Sequence, residues 1–183
     1  MIIGIGGTPG SGKTTIIRNI IKKADDWITI RPIVLVDAIF SNKLNCYILG
    51  KYAPYYEVEG YAEGTDKLSM AVAPKAKLFF ESLTANCLFE GDRLFTANMI
   101  KFIIDNCEDK KFYILETNFH DIVKRFKARG SNQSLKFLKS RYTKYGNIQG
   151  EFKIRQYLKV LKNNSKDELE YITKRLEKDL NVA

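Results

Sequence analysis

The sequence has a single histidine, His120, and only three cysteines, Cys46, Cys87 and Cys107, with no C-x-x-C pair among them. A metal centre made of imidazole and thiolate ligands is therefore not expected. The thiols read as reduced, mostly buried side chains of a cytoplasmic protein. No run of about 20 apolar residues occurs, so no membrane-spanning helix is expected. The apolar opening "MIIGIGG" has no basic leader and runs straight into a loop motif, which suits a buried strand better than a signal peptide. Internal repeats, low-complexity tracts and interdomain linkers are also missing. The 183 residues are thus expected to form one domain, 1–183. Nor is there an N/T-K-x-D segment, since "SNKLN" and "GTDKL" do not match it, which argues against a regulatory GTPase.

What is present is a globular composition, 45% apolar, with an uneven charge. Residues 1–120 hold 14 basic and 14 acidic side chains, and residues 121–183 hold 16 and 7, so the net charge of +9 comes wholly from the last third. A basic block of this kind can meet a polyphosphate or a nucleic-acid backbone, or can simply be a solvated helical surface.

The most specific signal is "GTPGSGKT", Gly7 to Thr14, which satisfies G-x-x-x-x-G-K-[ST]. An apolar run, "IIGIGG", precedes it. Apolar residues 16, 17, 20 and 21 follow at helical spacing. Strand, glycine loop and helix together make a phosphate cradle: backbone N–H groups converge at the positive end of a helix. Gly7, Thr8, Pro9, Gly10, Ser11, Gly12, Lys13, Thr14 and Thr15 are the expected nucleotide-binding residues. Lys13 is placed on the β- and γ-phosphates, and the Thr14 hydroxyl on Mg²⁺. The implied ligands are ATP and Mg²⁺.

Further strands are expected at Ile30–Asp37, Leu44–Tyr52, Asn86–Asp92 and Lys111–Thr117. Helices are expected over about 65–83, bent at Pro74, over 93–106, and over "DIVKRFKARG" up to Gly130. The remainder reads as basic helices around a Gly/Asn break at 146–150, with a basic helical tail over 151–183. This alternation predicts an α/β fold: a three-layer P-loop NTPase fold with a central, mostly parallel sheet and a helical lid near 125–145.

Ligands on such sheets bind beyond the carboxyl ends of the strands, and Asp37, Glu90 and Asp92 all fall at expected strand ends. Asp37 is the candidate base or orienting group for an acceptor hydroxyl, with a helix cap as the plain alternative. Glu90 or Asp92 is the candidate Mg²⁺ carboxylate. Arg93 could hold substrate, or pair with Asp92. Arg125 and Arg129 stand at i and i+4, where guanidinium groups can clamp transferring phosphoryl oxygens. Asp66, at the start of a helix, and Tyr52, beside the aromatic loop, are the candidate substrate contacts, with Tyr55, Tyr56 or Tyr61 as further stacking rings.

A compact domain with an acid after the second strand and an arginine-bearing lid resembles the nucleoside and nucleotide kinase group of P-loop proteins over most of 1–145. More narrowly, "LGKY", "GTDKLSM", "FEGDRLF" and "RGSNQ", in that order, resemble the phage P-loop kinases of thymidine hypermodification. The resemblance implies transfer of the ATP γ-phosphoryl group to 5-hydroxymethyl-deoxyuridine within DNA, with Asp37 as base and the 64–70 loop near the modified base. The alternatives are a kinase for a free nucleoside, nucleotide or other small hydroxyl compound, and a P-loop protein that binds nucleotide without turnover.

Overall fold

A computed structural model describes residues 1–55, 64–65, 67–128 and 134–181. The first strand, β1 (Ile2–Gly7), is buried along its whole length. Both of its faces are covered, which is why it reads as an unbroken apolar run. At Gly6 a side chain would meet the Phe95 ring at 2.4 Å, so only glycine lets that ring pack against the strand. Helix α1 (Lys13–Ile21) buries Ile16, Ile17, Ile20 and Ile21, the expected stripe.

The stretch expected to be one parallel strand over Ile30–Asp37 is instead a hairpin. β2 (Ile28–Ile33) turns at Val34–Leu35 into β3 (Val36–Ser41), which runs antiparallel to it. Leu35 takes the left-handed conformation, φ 69°, in the turn. Pro32 lies where the register shifts between Ile30 and Ile33, on an edge strand that tolerates its missing N–H. β4 (Cys46–Leu49) pairs antiparallel with β3 and parallel with β7 (Asn86–Glu90). A small ladder joins β5 (Lys51–Tyr52) to β6 (Gly64–Thr65).

The helix expected from about residue 65 starts later, as α2 (Val72–Glu81). Pro74 therefore falls in its first turn, where no N–H is needed, and causes no bend. Next come α3 (Ala97–Asn106), capped by the Thr96 side chain, then β8 (Lys110–Glu116) and α4 (Phe119–Ala128). α5 (Leu135–Gly150) runs straight through the Gly/Asn segment expected to break it.

The expected all-helical tail contains a strand. α6 (Phe152–Arg155) leads into β9 (Leu158–Lys162), parallel to β8 at the sheet edge, and the chain closes with α7 (Lys166–Asp179). A capping box between Ser165 and Glu168 starts α7.

The main sheet has the order β2-β3-β4-β7-β1-β8-β9. Only β3 opposes the common direction. One core cluster joins the sheet to α2, α3, α5 and α6 through residues such as Phe80, Phe89, Phe95, Ile103 and Tyr145. The other joins it to α1 and α7 through Ile16, Ile20, Ile172, Leu176 and Leu180. These are the three layers. The C-terminal helix is thus part of the core, each fully buried aliphatic side chain contributing about 1.5–3 kcal/mol. No helix among the described residues is long and apolar enough to cross a membrane.

Candidate active site

The loop between β1 and α1 is shaped by three glycines with positive φ: Gly7 (139°), Gly10 (82°) and Gly12 (94°). The Ser11 N–H donates to the Thr8 carbonyl at 3.1 Å, closing the first turn of the loop. Lys13 Nζ folds back and donates to the Gly7 and Thr8 carbonyls at 2.9 and 3.2 Å. The amine is thereby held over the loop. Ser11 Oγ is buried without a hydrogen-bond partner among the described residues.

Asp37 reaches the same sheet edge by a route unlike the expected one. It is the second residue of β3, not the end of a parallel strand. Because β3 runs against its neighbours, its start lies beside the carboxyl end of β4, where the Gly50 N–H donates to the Asp37 carbonyl at 2.8 Å. Leu49 is level with Phe89, and Glu90 with Ile5, so Asp37, Glu90 and the glycine loop line one edge.

The Asp37 carboxylate is nearly buried and held by two cations. Arg31 donates from Nε at 2.8 Å and approaches with Nη2 at 2.6 Å, both to Oδ1. Lys51 Nζ lies 3.5 Å from Oδ2. Neither cation was singled out from sequence. Both come from strands flanking Asp37 in space, and the hairpin that brings Arg31 there carries no glycine or asparagine turn signal.

The two acids left open by the sequence part company. Glu90 ends β7, is 1% exposed, and accepts from the Tyr52 hydroxyl at 3.0 Å. Asp92 lies past Gly91 (φ 85°) and faces α5. Its Oδ1 accepts from Lys144 Nζ at 2.7 Å and from the Tyr145 hydroxyl at 2.8 Å, while Arg141 Nε sits 3.2 Å from Oδ2. Burial works to raise the Asp92 carboxyl, but Lys144, Tyr145 and Arg141 outweigh it and hold it below its ordinary range. Asp92 is thus an anchor for α5, not an open oxygen donor.

Two other expectations, for Tyr52 and Arg125, are corrected by geometry, and of the two readings of Arg93 the ion pair is not formed. The Tyr52 ring is fully buried in the core, so it has no face free for stacking. Arg125 does not project over the loop. Its Nη1 donates to the Gly10 carbonyl at 2.9 Å and its Nη2 to the Asn163 carbonyl at 3.0 Å. Arg93 is exposed and makes no ion pair with Asp92, which is engaged by α5. Asp66, Arg129, Tyr56 and Tyr61 lie outside the described residues. Pro9, Thr14 and Thr15 are half-buried along the loop and the first turn of α1. His120 is exposed on α4, and no cluster of metal-ligating side chains of the His/Cys/Asp/Glu type occurs among the described residues.

Asn163 is the residue that sequence gave no reason to notice. It follows β9, is 2% exposed, and its side-chain amide donates to the Ser11 carbonyl at 2.6 Å. Tyr142, on α5, donates to the Thr117 carbonyl at 3.1 Å, seating that helix beside the loop after β8.

No protein-family model matches the chain, and no curated protein is similar to it. Solved structures are. A gluconokinase from Sinorhizobium meliloti 1021 superposes with a TM-score of 0.54 at 14% identity, covering 98% of this chain and 94% of that one. A shikimate kinase from Bacteroides thetaiotaomicron gives 0.50 at 12% identity, covering 100% and 99%. With its parallel sheet, glycine loop and flanking helices, the chain has the α/β fold of the P-loop kinases.

Proposed function

We propose that this protein is an ATP-dependent kinase acting on the hydroxyl of a small, free acceptor that carries an anionic group, a nucleotide being one such compound. One observation carries the reading: Asp37, with Arg31 and Lys51 paired to it, stands on the same sheet edge as the Lys13 loop. A carboxylate for a hydroxyl, cations for an anion and a cradle for polyphosphate are the three parts such a transfer needs. The two solved structures compared above are a gluconokinase and a shikimate kinase, which supports a free acceptor over a base in DNA.

The residues present fit Mg²⁺-ATP. The glycine loop offers backbone N–H groups, and the Thr14 hydroxyl and Glu90 carboxylate are hard oxygen donors of the kind Mg²⁺ takes, directly or through water. When bound, the ion neutralises charge on the β- and γ-phosphates. Glu90 is preferred to Asp92, whose oxygens are engaged by α5. Lys13 swings from the Gly7 and Thr8 carbonyls onto the phosphates. In Asp37, Oδ1 carries both close Arg31 contacts and Oδ2 only the longer Lys51 contact at 3.5 Å, so Oδ2 is the atom that accepts the hydrogen bond of the acceptor hydroxyl. As the acceptor oxygen bonds to the γ-phosphorus, the bond to the bridging oxygen breaks, ADP leaves, and the hydroxyl proton passes to Asp37.

The test is transfer of labelled γ-phosphate from ATP to matched pairs: nucleosides against their monophosphates, polyols against sugar acids, with 5-hydroxymethyl-deoxyuridine DNA alongside. Label confined to anionic free acceptors supports the proposal. Label only in the modified DNA overturns it in favour of the DNA kinase, and ATP binding with no transfer favours the non-catalytic alternative.

A further inference from the structure

The phosphate loop is gripped from behind by residues distant in sequence. Arg125 of α4 donates to the Gly10 carbonyl, and Asn163, 152 residues from its partner, donates to the Ser11 carbonyl. These are consecutive peptide groups. The Gly10–Ser11 unit is held from its other side as well, because the Ser11 N–H donates to the Thr8 carbonyl. The Ser11–Gly12 unit is held by Asn163.

A trans peptide is planar, with its C=O and N–H pointing in opposite directions. Fixing the Ser11 carbonyl on Asn163 therefore turns the Gly12 N–H away from Asn163. The approach is close: a side chain at Gly12 would come within 2.3 Å of the Asn163 amide nitrogen, and Gly12 has φ 94° besides. Glycine is thus required there both by conformation and by the space that Asn163 fills.

Asn163 is itself locked. Its N–H donates to the Glu116 carbonyl at 2.8 Å, and its carbonyl accepts from the Thr117 hydroxyl at 3.1 Å and from Arg125 at 3.0 Å. Those bonds need only a backbone. Among the described residues the side-chain amide has one partner, the loop, and only a donor can make that bond.

We propose that Asn163 is a positioning residue. It sets the Ser11–Gly12 peptide plane so that the Gly12 amide is oriented toward phosphate before any nucleotide arrives. The inference rests on the reading of the loop as a polyphosphate site. Orienting the amide in advance removes an ordering cost from binding, as preorganisation does elsewhere.

Thermal unfolding of the full chain separates this role from a merely structural one. Mg²⁺ with inorganic tripolyphosphate is the probe, because it tests the cradle without the base. The wild type should melt at a higher temperature with the probe, the stabilisation following ligand concentration over Kd. Asn163→Asp keeps the size and the backbone bonds but replaces the donor with an acceptor. Asn163→Ala removes the group altogether. Each should melt a few degrees below wild type when unliganded, because the buried Ser11 carbonyl loses its donor, and each should in addition bind the probe about 10-fold more weakly or worse, so that the probe-induced rise in melting temperature shrinks. A lowered unliganded melt with an undiminished probe-induced rise overturns the proposal.

If neither variant folds, the wild type decides. The Asn163 side-chain amide should keep its protection from hydrogen exchange when tripolyphosphate is bound. Loss of that protection on binding overturns the proposal, since the bond would then be absent where it is needed. A wild type that responds to neither tripolyphosphate nor ATP refutes the phosphate reading itself, a result distinct from either.

Discussion

The two flanks of the sheet edge are held by different kinds of bond. On the donor flank, Arg125 and Asn163 reach backbone carbonyls of the glycine loop, and Asn163 is almost wholly buried. On the acceptor flank, Asp37 meets Arg31 and Lys51 through side chains alone, and the Arg31 side chain is 60% exposed. Backbone-directed, buried bonds fix a shape, and losing one leaves an unsatisfied group behind. Exposed ion pairs are worth little by themselves and rearrange easily. On the proposed reading, the donor flank suits one constant ligand, and the acceptor flank carries charges that what binds can re-direct.

The largest effect should come from the donor flank. Replacing Lys13 with alanine removes the cation nearest the transferring group, and turnover should fall about 100-fold or more. A rate within about 10-fold of wild type would sink the assignment. Asp37→Asn tests the junction of the two flanks: kcat should drop about 100-fold while the KM for ATP changes little. Equal losses in both would make the Asp37 carboxylate a structural tie from β3 to Arg31 of β2 and Lys51 of β5.

Arg31→Ala and Lys51→Ala should act on the acceptor alone. Each should raise the KM for an anionic acceptor about 10-fold and leave that for its neutral counterpart, and for ATP, unchanged. A uniform rise would erase the contrast between the flanks.

The smallest effect concerns stability. Asp92→Asn should cost about 1 kcal/mol, or about 2–4 °C in Tm, read by calorimetry near neutral pH. The folded-state carboxyl lies below its ordinary value of 3.8, so its contribution is present above that pH and is lost as pH falls through the lowered value. Variant and wild type should therefore converge only once the pH has fallen well below 3.8, through that lowered value, and a gap persisting beyond it would mean that charge is not what seats α5.

Much of this was legible in the sequence, and the gaps have physical causes. The glycine loop and the α/β alternation are local patterns, read from residues near one another. "IRPIVLVD" hid a hairpin because Val34 and Leu35 are apolar and Leu35 enters the left-handed region without being glycine or asparagine. Asp37 was placed on the correct edge for a reason that does not hold, since an antiparallel strand brings its start where parallel strands bring their ends. β9 was missed because a five-residue edge strand carrying Lys159 and Lys162 has the composition of a helix surface. Glu90 and Asp92 are two residues apart, and only the turn at Gly91 separates a buried acid from an anchor for α5. Asn163 could not be foreseen, as its partner lies 152 residues away.

The reversed strand also governs how this protein could change its clientele. The Val34–Leu35 turn leads directly into the β3 segment that carries Asp37, and both residues are exposed. Two residues inserted there would lengthen the turn while preserving the alternation that presents Arg31 and Asp37, which on the proposed reading changes the acceptor side of the site. The hairpin sits at the rim of the sheet and does not pair with β1, the strand that leads into the glycine loop. It is therefore a graftable cassette: a place where selection or a protein engineer could exchange one acceptor for another and leave the nucleotide machinery as it stands.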